Sequence, residues 1–243
     1  MRDDGPIDVI IPAFKEEASI GKVLGDLPRD LLRHVVVADN GSTDRTAEFA
    51  AAAGATIVAA PRRGYGSACL AGIAHLARLE PAAHIVVFLD ADYSDHPDEL
   101  PQLVAPLLHE EADLVVGSRA LGHRERGALV PQARFGNWLA TGLIRMLYGV
   151  RMTDLGPFRA IRWDRLLALK MADPDFGWTV EMQVKAARAG LGYREVPVSY
   201  RKRIGRSKIS GTVSGSVRAG WKILYTIFRL RLATGVSPSR GRS

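Results

Sequence analysis

Cysteine is nearly absent from this sequence. Cys69 is the one cysteine in 243 residues, which excludes an internal disulfide framework and a cysteine cage for zinc, and fits a reducing compartment. Cys69 itself reads as a small buried residue. The histidines at 34, 75, 84, 96, 109 and 123 lack regular metal-ligand spacing and read as surface or packing residues. Long apolar runs are missing too. The longest near the C-terminus, 223–232, is broken by Arg229 and Arg231 and falls short of the ~18 residues of a spanning helix. Residues 1–8 carry acids and a proline where a signal peptide would be basic and then apolar. The expectation is a cytoplasmic chain that does not cross a bilayer, with the cytoplasmic face of the membrane as its one membrane option. There is no internal repeat and no low-complexity linker. The dinucleotide fingerprint Gly-x-Gly-x-x-Gly is absent, because Cys69 stands where its last glycine would follow Gly66, and a phosphate-binding P-loop is absent as well.

What is present suffices for a substantial core. With 47% hydrophobic and 24% charged residues, the chain supports one main domain. The expected division is a catalytic domain over 1–210 and a C-terminal helix and tail over 211–243. A net charge of +7 favours anionic partners, whether nucleic acid, a phosphorylated ligand or an anionic membrane surface.

Short β-branched runs at 8–12, 35–38, 56–59, 85–89 and 114–116 read as buried strands. Helix candidates lie between them at 18–27, 45–53, 65–77 and 100–110. This alternation predicts an α/β fold with a doubly wound parallel sheet, whose ligands gather at the carboxyl ends of the strands. The polar signals fall there: Glu16 and Glu17 after the first strand, Asp39 to Asp44 after the second, Arg62 to Gly66 after the third, Asp90 and Asp92 after the fourth. Beyond Gly117 the alternation fades into a charged, glycine-rich stretch at 120–134, read as a mobile loop. Helices are predicted over 135–148, 179–189 and 217–232. The last is amphipathic and follows a basic stretch at 199–208.

Asp90-Ala91-Asp92 leaves a buried strand, and in extended backbone residues two apart point the same way, so both carboxylates can reach one site. Two hard oxygen donors suit Mg²⁺ or Mn²⁺ already bound to phosphates. Capping and turn chemistry is the bland alternative. Asp39 precedes a tight turn and can accept a hydrogen bond from a nucleobase ring nitrogen, while residues 42–44 read as helix caps. Arg62, Arg63, Gly64 and Gly66 open a helix in a layout suited to an anion.

Val9-Ile10-Ile11-Pro12-Ala13-Phe14-Lys15-Glu16-Glu17, the stretch from Asp39 to Thr46, Asp90-Ala91-Asp92 and Val115-Val116-Gly117-Ser118-Arg119 together resemble glycosyltransferase family 2, in the branch of the dolichyl- and polyprenyl-phosphate mannose and glucose synthases. Thr153-Asp154-Leu155-Gly156-Pro157-Phe158-Arg159 and the Gly-x-Ser-Lys ending at Lys208 resemble later motifs of that branch. The resemblance implies a GT-A, mostly parallel Rossmann-like fold and a metal-dependent hexosyltransferase. Pro12, Ala13, Phe14, Glu16 and Asp39 would surround base and ribose, with Arg63, Gly66 and Ala91 also on the donor. Asp90 would lie by ribose or metal and Asp92 would ligate the metal. Arg119, Arg134, Arg201, Lys202, Arg203 and Lys208 would hold donor or acceptor phosphates. Lys15 stands where the family commonly has Asn, and Ser94 where the branch often has a metal-binding Gln, leaving Asp95 as the neighbouring substitute ligand.

The implied partners are a nucleotide sugar carrying UDP or GDP and a lipid phosphate acceptor. A phosphate acceptor is already ionised and needs only positioning. A hydroxyl acceptor needs a general base, for which Glu181 is the candidate, against a plain reading as an exposed helical carboxylate. The C-terminal helix, with Trp221, Tyr225 and Phe228 beside Lys222, Arg229 and Arg231, suits a membrane interface, a membrane-protein partner, packing on the domain or a homodimer contact equally. Rival classes fit less well. A sugar-nucleotide pyrophosphorylase would carry a glycine-rich basic loop after the first strand, and nucleic-acid binding sits badly with carboxylate-rich strand ends. A catalytically silent nucleotide-sugar-binding protein would keep the fold without turnover.

Overall fold

The computed structural model describes residues 5–60, 62–205 and 213–232, with side chains of the last segment from 218. Lys208 lies outside the described residues.

Five strands occur where the apolar runs predict them: β1 (Ile7–Ala13), β2 (Leu32–Asp39), β3 (Thr56–Ala59), β4 (Ile85–Phe88) and β5 (Leu114–Ser118). Helices α1 (Ile20–Gly25), α2 (Thr46–Ala52), α3 (Tyr65–Leu76) and α4 (Leu100–Leu108) alternate with them. Then follow α5 (Pro131–Tyr148), β6 (Arg159–Arg162), α6 (Trp163–Ala168), α7 (Trp178–Arg188), β7 (Tyr193–Pro197) and α8 (Val213–Leu232). The sheet order is β3-β2-β1-β4-β6-β5-β7. Neighbouring strands run parallel except that β6 is antiparallel to both β4 and β5. The sheet is therefore mixed and mostly parallel, as expected, with β6 as its antiparallel member.

β1 is buried along its whole length, as a central strand covered on both faces must be. Its alternation sends Val9 and Ile11 into one core layer and Ile10 into the other. Cys69, on α3, is fully buried among the second layer, and burial pushes its thiol up. A third apolar cluster joins Ala140 and Ile144 of α5, Val180 and Val184 of α7, and Ile227 and Leu230 of α8. The Tyr148 hydroxyl donates to the Ile227 carbonyl (2.6 Å), fixing α5 against α8. So α8 packs on the domain through one face and exposes Trp221, Tyr225, Phe228 and Leu232 on another.

β6 escapes the sequence pattern because its ends are arginines. Arg159 is fully buried, and its guanidinium donates to the backbone carbonyls of Thr179 (2.9 Å) and Gly156. Those carbonyl partners are what make a buried cation tolerable.

Candidate active site

The carboxyl ends of β1, β2 and β4, the start of α3, the loop before α7 and one face of α8 enclose a cavity of about 600 Å³. Pro12, Ala13, Phe14 and Glu16 line it from β1 and Asn40 from the turn after β2. Arg63, Gly64, Tyr65 and Ala68 line it from around the start of α3, and Asp90, Ala91 and Asp92 from the turn after β4.

The turn after β4 differs from the expected extended run. The strand ends at Phe88, and residues 91–93 form a turn with Tyr93 at φ 64°. Both Asp90 and Asp92 nevertheless face the cavity, brought there by the turn rather than by strand alternation. The Ser94 amide donates to Asp92 Oδ1 (2.9 Å), and the Asp90 amide donates to Asp95 Oδ2 (3.3 Å). Burial, reinforced by the charge of Asp92, pushes the Asp90 carboxyl up to about 7, against the opposing pull of Arg203 and Tyr65. Burial and the charges of Asp90 and Asp92 also raise Asp95.

Asp90 Oδ1 and Asp95 Oδ1 are buried without a hydrogen-bond partner. Orphaned acceptors among close carboxylates fit a divalent cation. Among the described residues, however, no three acidic, histidine or cysteine side chains converge as a finished metal cage. The donor set suits an ion that completes its shell with substrate phosphate oxygens.

The basic stretch lies alongside this acidic turn. Arg201 and Ile204 amides donate to the Ser94 and Asp92 carbonyls (3.0 and 2.9 Å), and Arg203 reaches Asp92 Oδ2 at 3.0 Å. Of the predicted phosphate ligands, Arg203 alone among the described ones lines the main cavity. Arg201 instead lies over the Tyr93 ring, 3.3 Å from its centroid, and donates to the Tyr93 carbonyl (2.7 Å). Lys202 pairs with Glu125. Arg119 is held by Asp154 through two guanidinium bonds of 2.7 Å, which lower the Asp154 carboxyl against the opposing effect of burial.

Several expected donor ligands sit slightly back. The Asp39 carboxylate takes the Ser42 amide (3.2 Å), and its strand partner Ala13 and its neighbour Asn40, rather than Asp39, line the cavity. Gly66 is buried under the loop before α7: a Cβ there would stand 1.9 Å from the Asp173 carbonyl. The Ser67 amide donates to the Pro174 carbonyl (2.8 Å), tying that loop to α3 and carrying Asp175 and Phe176 to the cavity wall. Arg63 stacks over Phe14, 3.9 Å from the ring centroid.

Glu181 is not brought to the cavity, nor is it an exposed carboxylate. It is buried, receives the amides of Ala172 and Asp173 (3.1 and 2.8 Å) and pairs with Lys185 at 2.8 Å. Arg134 lines a second cavity of about 380 Å³, together with Arg124, Arg145, Arg151, Leu129 and Trp138. Tyr65, Asn40, Asp175, Phe176, Arg218 and Lys222 are cavity residues that sequence reasoning missed.

This fold, with an acidic turn beneath a strand-end cavity, is that of a GT-A sugar-nucleotide enzyme. The family model "Glycosyl transferase family 2" matches residues 8–166. The chain belongs to glycosyl transferase family 2. It is 39% identical over 223 residues to an uncharacterized glycosyltransferase of Mycobacterium tuberculosis, covering 90% of this chain and 97% of that protein. It is 31% identical to the undecaprenyl-phosphate mannosyltransferase of Micrococcus luteus, covering 85% and 88%. Among solved structures, glucosyl-3-phosphoglycerate synthase from M. tuberculosis, in complex with Mn²⁺, UDP and phosphoglyceric acid, superposes with a TM-score of 0.73 at 26% identity, over 96% of this chain and 80% of that one.

Proposed function

We propose that this glycosyltransferase moves a hexose, with inversion, from a UDP- or GDP-linked donor to a polyprenyl or dolichyl phosphate, using Mg²⁺ or Mn²⁺. The observation that carries this reading is the union in one cavity of the Asp90 and Asp92 carboxylates, a strand-end nucleotide pocket and Arg203. Base and ribose sit against Pro12, Ala13 and Phe14 with Arg63 stacked above. Asp90 and Asp92, with Asp95 beneath, are the residues that would hold the cation. When bound, that cation neutralises charge on the departing nucleoside diphosphate. Arg203, now paired with Asp92, is within reach of the same diphosphate and stabilises the growing negative charge.

A phosphate acceptor arrives already ionised, so no side chain has to remove a proton. The arginines of the second cavity supply charge-assisted contacts for its head, and Trp138 and Leu129 supply apolar surface for a lipid. The engaged carboxylate of Glu181 supports this acceptor class over a hydroxyl acceptor, which would need a free base. The undecaprenyl-phosphate relative supports the lipid. The phosphoglyceric acid in the superposed synthase favours a second reading, a small phosphorylated acceptor in the same arginine-lined cavity.

The outer stripe of α8 supports a place at the cytoplasmic face of the membrane. Neither α5 nor α8 has an acid in its first turn, and Trp221, Tyr225, Phe228 and Leu232 follow one helical stripe flanked by Arg229 and Arg231. No helix among the described residues is long and apolar enough to cross a membrane, so the contact is interfacial.

The deciding experiment incubates the protein with Mn²⁺, UDP- and GDP-sugars, and either a short polyprenyl phosphate or phosphoglyceric acid, with products identified by mass. A hexosyl polyprenyl phosphate is expected, and Asp92→Asn should lower its formation at least about a hundredfold. Glycosylated phosphoglycerate alone would replace the lipid reading with the second one.

A further inference from the structure

The cavity has a wall that no strand-end motif supplies. Arg218 and Lys222 of α8 both line it, and residues four apart share one face of a helix. The placement of α8 is built in rather than incidental. Lys222 Nζ lies 3.1 Å from Asp173 Oδ2, a carboxylate 1% exposed. Asp173 is itself fixed, accepting the Asp175 amide (2.8 Å) and donating its own amide to Glu181 (2.8 Å). A Cβ on Gly177 would stand 2.4 Å from Asp173 Oδ2 and 2.7 Å from Thr226 Oγ1, so the start of α7 meets α8 with no room for a side chain between them. Ile227 and Leu230 close the seam behind.

The cations around the cavity are not equivalent. Arg203 is taken by Asp92, Lys222 by Asp173, and Arg63 lies over Phe14. Arg218 is exposed, and among the described residues no carboxylate pairs with it. A guanidinium without a carboxylate partner, overhanging a cavity whose acidic end calls for a cation, is suited to a phosphate oxygen.

We propose that α8 is a working wall of the donor site: Arg218 binds the diphosphate of the nucleotide sugar, and the Lys222–Asp173 pair positions the helix so that it can. This rests on the donor reading above and adds the C-terminal helix to it. Arg218 contacts the ligand, whereas Lys222 acts through the helix it anchors.

The test measures binding by calorimetry, on the full chain with Mn²⁺, of UDP, GDP and the matching nucleoside monophosphates. The variants are Arg218→Ala, Arg218→Lys and Lys222→Met, with Arg78→Ala, an exposed arginine beyond α3, as a charge control. Arg218→Ala is expected to weaken binding of the preferred nucleoside diphosphate at least about tenfold, with the monophosphate affected less. Arg218→Lys should recover part of the loss, and Arg78→Ala should change nothing. Arg218 is exposed, so its variants should keep the wild-type unfolding midpoint. Should Lys222→Met prove unstable, the Arg218 pair still decides. Wild-type binding with undiminished affinity in Arg218→Ala would overturn this inference and leave the donor reading standing. Failure of the wild type to bind either diphosphate would bring down the donor reading, and this one with it.

Discussion

Asp90 shows how one residue can record the ligand its surroundings are built for. Burial and the Asp92 charge raise its carboxyl from 3.8 to about 7. A carboxyl raised in the folded state stabilises the fold fully below its unfolded value near 4, and that contribution disappears as pH climbs through about 7. Metal-free protein should therefore lose thermal stability between about pH 4 and pH 7, the interval in which the unfolded carboxyl has ionised and the folded one still holds its proton, and change little above it. Mn²⁺ should offset the loss, binding more tightly as the proton departs. The check is a set of melting curves in chelator and in Mn²⁺ across that range. The gap between the two midpoints should widen with pH in the wild type and stay flat in Asp90→Asn. A gap of constant size in the wild type would mean that Asp90 is not where the cation and the proton compete.

Among the elements, legibility followed burial pattern. β1, β2, β4 and β5 announce themselves because strands covered on both faces read as unbroken apolar runs. β6 did not, since its buried Arg159 reads as a surface cation, and what satisfies it is a set of backbone carbonyls, those of Leu155 and Gly156 nearby and of Thr179 twenty residues away, that the residue pattern does not display. β7, an edge strand of mixed polarity beside β5, gives an equally weak signal. The site divides the same way. Asp90, Asp92, Pro12, Ala13 and Phe14 were readable as strand-end residues. Asp175, Phe176, Arg218 and Lys222 arrive through tertiary contacts between α3, the loop before α7 and α8. Glu181 shows the converse error: a carboxylate on the first turn of α7 looked available for proton transfer, yet it is spent holding the 172–173 backbone. Glu181→Gln should accordingly leave turnover with a phosphate acceptor within about threefold. It should lower the unfolding free energy by about 1–3 kcal/mol, because the partner of Lys185 is lost. Steady-state kinetics and urea unfolding of the same variant separate the two effects, and a rate loss of several orders of magnitude would restore Glu181 as a base.

For the whole molecule, the uneven surface has an experimental signature. The chain carries net charge +7, and the exposed aromatic stripe of α8 lies among cations. Vesicles containing anionic lipid should bind the protein and shift Trp221 fluorescence to the blue, with affinity falling as salt rises. Neutral vesicles should bind it weakly. A concentration-dependent dimer in solution, with no vesicle binding, would instead assign the stripe to a second copy of the chain.

The antiparallel strand has a consequence for how this enzyme can be taken apart. Because β6 lies between β4 and β5, the chain leaves the sheet after β5, builds α5, and returns to fill a gap in its own middle. A fragment ending before residue 159 would lack the strand that bridges its two halves, and the remainder would hold β6 and β7, two strands that pair with β5 and not with each other. The portions of the chain before and after the loop that follows β5 therefore cannot be expressed as independent modules or exchanged by simple fusion there; they are laced into one fabric, and must be inherited, engineered and unfolded together.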